Sequence, residues 1–186
     1  MIKNQIEKGI SNLLYLENSS PLFHYHWLIK NKKHNDYDAN FKHFFGLNIL
    51  ISAQKKHITK FILNKVKVDS FGDLVLQMDK TKYLFSFASK ILHMQNPNLP
   101  IYDSHIADSI GWHFQNKKSK LKNCNTKTEK VNELNRLWEE FQKTWNEYTK
   151  KDTKHCCELF DKAFPKYKHL SPTKKIDFML WASKKA

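Results

Sequence analysis

Apolar residues recur three and four positions apart along most of this chain, and little interrupts them, since 186 residues hold only four glycines and five prolines. A many-stranded sheet needs turn residues about every 8–12 positions, so scarce punctuation and a helical period together predict an all-α fold. With 40% hydrophobic and 13% aromatic residues, the chain can bury one sizeable core, and residues 1–186 read as a single domain.

The first helix places Ile2, Ile6, Ile10, Leu13 and Leu14 on one face and stops at "NSSP". The aromatic-rich "LFHYHWLIKN" reads as a short second helix, and Asp38 to about Lys65 as two core helices with a break near Gln54 to His57. "SFGD", Ser70 to Asp73, has capping-box spacing ahead of Leu74, Val75 and Met78. The string from Lys82 to Met94, interrupted chiefly by Ser86, Ser89, Lys90 and His93, is expected to lie against the centre of the domain. After Asp103, helical spacing runs through Ile106, Ala107, Ile110 and Phe114. "QNKKSKLKNCNTKT" shows no apolar pattern, so residues near 116–128 are expected to form a mobile basic loop. Val131, Leu134, Trp138, Phe141, Trp145 and Tyr148 mark a long helix with one apolar seam. Two closing elements follow, "ELFDKAF" and "SPTKKIDFMLW", the latter with Ser171 as a cap and Pro172 at the favoured first position.

The formal charge of +14, from 32 basic and 18 acidic residues, points to a polyanionic partner, nucleic acid first. Every basic residue except Arg136 is a lysine, which meets phosphate as a point charge and lacks the fork that grips guanine edges. Backbone binding is therefore expected rather than sequence reading, with a solvated lysine surface as the bland alternative. Three cysteines, two of them adjacent, give no disulfide framework and fit a reducing compartment, so a cytoplasmic location is expected. Neither His24 with His26 nor His155 with Cys156 and Cys157 has paired metal-ligand spacing, and no metal is expected. No apolar run approaches the roughly 20 residues of a bilayer span. The N-terminal "MIKNQIEKGISNLLYLENSS" carries charges among its apolar positions, unlike a secretory leader.

One carboxylate stands out. Pro97 and Pro100 force an extended approach to Asp103, which then sits where the next helix begins, poised as an N-cap. The helix dipole and backbone N–H groups keep such a carboxylate ionised even when partly buried. An ionised acid at a dry pocket stabilises developing positive charge, as in cleavage of an N-glycosidic bond, whose sugar becomes oxocarbenium-like.

The stretch "IYDSHIADSI" resembles the Asp-Thr/Arg-His-Ile/Val segment of the helix-hairpin-helix DNA glycosylases, and "NILISAQKKHITKFI" is similar to the Leu-Leu-Ser-Ala-Gln segment of their endonuclease III branch. The resemblance spans about Phe41 to Phe114 and implies that Asp103 is the catalytic carboxylate and that Gln54 fills the gap left by a flipped base. It implies neither metal nor organic cofactor. The family hairpin's glycines have no counterpart in "KYLFSFASK". Bifunctional members carry a nucleophilic lysine there. Lys90 lies 13 residues before Asp103, while the register that matches Ala88 to a family alanine puts Ser86 at the lysine position, 17 before Asp103. The second register predicts a monofunctional, water-using glycosylase, with Lys90 as a phosphate contact or surface group.

Lys55, Lys56 and Lys60, beside the DNA-facing turn, and Lys117 and Lys118 in the basic loop are the expected contacts to double-stranded DNA. Phe44, Phe45, Tyr102, His105 and Trp112 are the expected walls of a base pocket, with His24 and Trp27 as further aromatic candidates. A shortened fold with an open pocket suits a bulky or hypermodified base, so excision from phage DNA stands beside housekeeping repair. The expected enzyme is a monomer. The alternative is a DNA-binding module that keeps the fold without the chemistry.

Overall fold

A computed structural model of the chain describes residues 2–16, 21–46, 69–79 and 83–184. Among these residues there are ten α-helices and no strand. They are α1 (Ile2–Tyr15), α2 (Pro21–Lys30), α3 (Tyr37–Phe44), α4 (Phe71–Met78), α5 (Phe85–Gln95), α6 (Ser104–Ile110), α7 (Phe114–Lys117), α8 (Lys127–Thr149), α9 (Thr153–Ala163) and α10 (Pro172–Ser183). No helix among them is long and apolar enough to cross a membrane.

Two packing centres organise the fold. In the first, α1 lies along α10. Ile6 and Leu13 are buried there, and the chain at Gly9 comes so close that a β-carbon would fall 2.0 Å from the Met179 carbonyl oxygen. Helix α10 is buried nearly all round, through Lys174, Lys175, Ile176, Asp177, Phe178, Met179 and Leu180. A helix enclosed on every side belongs to the middle of a domain. The Lys82–Met94 string is expected to lie against that centre, and α5 within it buries Phe85, Phe87, Ala88, Ile91 and Met94, while α10 is the enclosed helix. Its lysines are tolerated because Lys174 pairs with Asp177 at 2.5 Å and Lys175 reaches Asp161 on α9 at 2.7 Å.

The second centre is aromatic. Phe71 of α4 stacks on Trp138 of α8, with ring centroids 4.5 Å apart and planes within 7°. Phe85 meets Phe114 at 4.5 Å, and Tyr102 and Trp112 complete the cluster against Phe141. Helix α8 carries the expected seam, with Leu134, Trp138, Phe141 and Trp145 buried.

Local caps follow the sequence in part. Ser70 Oγ accepts the Asp73 N–H at 3.2 Å, but its hydroxyl also donates to Asp73 Oδ2 at 2.9 Å. The full reciprocal box stands at α8 instead, where Thr126 Oγ1 accepts from Glu129 N and Glu129 Oε2 accepts from Thr126 N, both at 3.1 Å. The segment expected as a mobile basic loop near 116–128 is largely helical. Helix α7 runs into a 3₁₀ turn over Lys118–Asn123, anchored by Leu121, which is 1% exposed. One buried leucine among lysines fixes a segment whose composition reads as loop.

Candidate functional site

Helix α5 presents a polar stripe with helical spacing, Ser86, Ser89, Lys90 and His93. Three of the four fasten the chain that returns toward α6. Ser86 Oγ donates to the Tyr102 carbonyl at 2.9 Å, Ser89 Oγ accepts the Tyr102 N–H at 3.0 Å, and Ser89 Oγ donates in turn to the Ser86 carbonyl at 2.7 Å. His93 is fully buried, with Nδ1 2.6 Å from the Leu99 carbonyl and Nε2 2.6 Å from the Tyr25 hydroxyl. A carbonyl only accepts, so Nδ1 carries the proton and Nε2 accepts from Tyr25. Burial, aided by the charge of Lys174, pushes the His93 imidazole down to about 3, which keeps it neutral in this role.

The fastened segment delivers Asp103 as expected, at the N-cap of α6 in extended backbone, with its Oδ1 accepting the Ile106 N–H at 2.9 Å. Asp103 and Lys90 line one cavity of 460 Å³, within the range of ligand pockets. Among the described residues the other walls are Leu16 beyond α1, Pro21 and His24 of α2, His43, Phe44, Phe45 and Gly46 at the end of α3, Ile101, and Lys174, Asp177, Phe178 and Trp181 of α10. The α10 set also has the helical spacing of a single stripe. Among the described residues, two lysine amines and two carboxyl groups thus share one cavity.

The electrostatics follow from that enclosure. Burial lowers the proton affinity of the Lys90 amine, opposed by the carboxylates of Asp103 and Asp177. Lys90 Nζ lies 3.3 Å from the Phe45 carbonyl oxygen and 4.9 Å from the centre of the Phe87 ring. Burial raises the proton affinity of Asp177, opposed chiefly by the Lys174 ammonium. That ammonium rests 4.2 Å from the Phe178 ring centre and 4.5 Å from that of Tyr25.

Of the residues singled out in the sequence, Asp103, Lys90, Phe44, Phe45 and His24 meet at this cavity. Lys90 is half-buried within it, which corrects its reading as a surface group. Ser86 does not line it; its hydroxyl is committed to the Tyr102 carbonyl, so it positions the approach to Asp103. Tyr102 and Trp112, expected in the base pocket, belong to the aromatic core. Tyr102 accepts the Phe114 N–H at 3.1 Å, and Trp112 is 2% exposed and donates to Glu140 at 3.0 Å. His105 is half-buried on α6, and Trp27 packs at the edge of the core; neither lines the cavity. Lys117, expected as a phosphate contact, is paired with Glu140 at 2.5 Å, while Lys118 is half-buried at the start of the 3₁₀ turn. Gln54, Lys55, Lys56 and Lys60 lie outside the described residues.

Sequence reasoning missed Lys174, Asp177, His43 and Trp181. The signal for α10 was present: in "TKKIDFMLW" two opposite charges three apart are followed at helical spacing by two aromatics. Among the described residues no group of three or more His, Cys, Asp or Glu side chains converges as metal ligands. Comparison with protein-family models, with curated proteins and with solved structures gives no match for this chain.

Proposed function

We propose that this protein is a DNA N-glycosylase that takes a base of double-stranded DNA into the cavity. The observation that carries the proposal is the meeting of Asp103 and Lys90 on one enclosure with Phe44 and Phe45 in its wall. Each group has a task in that reaction. The Asp103 carboxylate, oriented by the Ile106 N–H, stabilises positive charge developing at the sugar as the base departs. The aromatic rings of Phe44 and Phe45 offer stacking surface to a base removed from the helix. The net charge of +14 supplies attraction to the phosphate backbone.

Lys90, rather than the water of the monofunctional register, is the group we assign to the sugar. Desolvation lowers its proton affinity, which favours the neutral, nucleophilic amine. Its nitrogen attacks C1′ and the C1′–N bond to the base breaks. That bond's electron pair leaves with the base, which takes up a proton. Loss of a proton from the attached nitrogen and opening of the sugar ring give an imine, from which the 3′ phosphate is eliminated. Repair of damaged bases and defence against phage DNA carrying modified bases would both use this chemistry.

Incubation of wild-type, Asp103→Asn and Lys90→Gln proteins with duplexes of normal and modified bases, with and without alkali and borohydride, tests the proposal. Strand breaks without alkali and a borohydride-trapped adduct, the adduct lost in Lys90→Gln and excision lost in Asp103→Asn, are expected. Breaks that need alkali in the wild-type protein would return the sugar step to water. No breaks on any duplex, with DNA binding intact, would leave a binding module.

A further inference from the structure

We propose that Lys174 and Asp177 read the edge of the base in the cavity, and that this base is a lactam, with a ring N–H beside a carbonyl oxygen. The word "base" rests on the glycosylase proposal; the recognition chemistry does not.

The pair is costly where it stands. Lys174 is 2% and Asp177 5% exposed, with Nζ 2.5 Å from Oδ2. Apolar residues of similar volume often replace a buried ion pair without loss of stability. The pair is not needed to start α10, because Ser171 Oγ already accepts the Lys174 N–H as its cap. Yet both side chains line the cavity. Their charges are therefore presented to whatever occupies it.

An ammonium only donates and a carboxylate only accepts. Among the described residues Asp177 is the hydrogen-bond acceptor that the Lys174 ammonium meets, and the rings of Tyr25 and Phe178 hold it in place from the side. Locked together, the two groups offer a donor next to an acceptor. The complement is an acceptor next to a donor on neighbouring atoms, as in the lactam edge of guanine, hypoxanthine or uracil. Lysine pairs readily with a purine carbonyl oxygen, whose two lone pairs accept over a broad range of directions. Adenine and cytosine also set a donor, the exocyclic amine, beside an acceptor, but that acceptor is a ring nitrogen with one in-plane lone pair rather than a carbonyl oxygen.

The test is binding of free bases to the purified full-length protein, followed by tryptophan fluorescence, since Trp181 lines the cavity, and by calorimetry. Hypoxanthine is expected to bind at least tenfold more tightly than adenine or 1-methylhypoxanthine, which lacks the N1–H. Asp177→Asn is expected to weaken hypoxanthine at least tenfold. The double variant Lys174→Met/Asp177→Leu removes both charges without stranding either; it is expected to keep its helical circular dichroism and lose the preference. Equal binding of the three bases, an unchanged Asp177→Asn protein, or no binding of any base overturns the proposal. Excision assays on the same proteins separate the two ideas. Base binding that depends on the pair, without excision, would sink only the glycosylase proposal, and excision without lactam preference would sink only this one.

Discussion

Ser89 accepts the amide proton of Tyr102 at 3.0 Å, one residue before the carboxylate that lines the cavity. Ser89 is fully buried, so no water replaces its oxygen. Ser89→Ala is expected to cost about 1–3 kcal/mol, the penalty for a buried donor left unpaired. Urea denaturation followed by circular dichroism measures it, and a cost near zero would show that the segment holds Asp103 without this bond.

Replacement of Asp103 separates capping from charge. Asparagine caps a helix about as well as aspartate, whereas alanine in its place costs about 1 kcal/mol. Asp103→Asn is thus expected to melt close to wild type and Asp103→Ala several degrees lower, while both fail to excise a base. Equal melting of the two variants would remove the cap from the account of α6.

The buried His93 sets a pH dependence. Its folded value of about 3 lies below the ordinary 6.5, so the unfolded chain binds the extra proton between these limits. Stability from this group is complete above pH 6.5 and is lost as pH falls toward 3. The slope is at most about 1.4 kcal/mol per pH unit. His93→Gln is expected to lower stability at neutral pH and flatten this slope, as read from urea melts at intervals across the window. An unchanged slope would assign acid sensitivity to other groups.

Gly9 and Gly72 are expected to resist even alanine. The added carbon would lie 2.0 Å from the Met179 carbonyl oxygen at the first site and 2.4 Å from that of Val131 at the second. Backbone cannot step aside as a side chain can, so each variant is expected to lose about 1–3 kcal/mol or more through forced separation of helices. Thermal melts decide this, and wild-type stability of either variant would show that its helix pair shifts freely.

Much of this fold is legible in the sequence where the signal is local. The seam of α8 and the caps Ser171 and Asp103 depend on residues within a turn or two of one another, and each stands where spacing puts it. The central place of α10 is not legible, because Lys174 and Lys175 look like surface residues until Asp177 and, from another helix, Asp161 are seen to pair with them. The candidate site divides the same way. Phe44 and Phe45 reach the cavity while Tyr102 and Trp112 turn into the core, although the latter pair lies nearer to Asp103 in sequence. Nearness along the chain says nothing about which side of a bend a ring falls on.

The pairing of α1 with α10 joins segments far apart along the chain, with Asn12 Nδ2 donating to the Ala182 carbonyl at 2.7 Å across 170 residues. Contacts of such long sequence separation form late and slow folding. On the ribosome, α1 must wait for its partner until the intervening residues and α10 itself have been made, with Ile6 and Leu13 lacking their final cover meanwhile. A polypeptide cut short before Pro172 would lack both Lys174 and Asp177, so an incomplete product would have a broken core and no working cavity. Synthesis and competence are thereby tied to the same helix, α10.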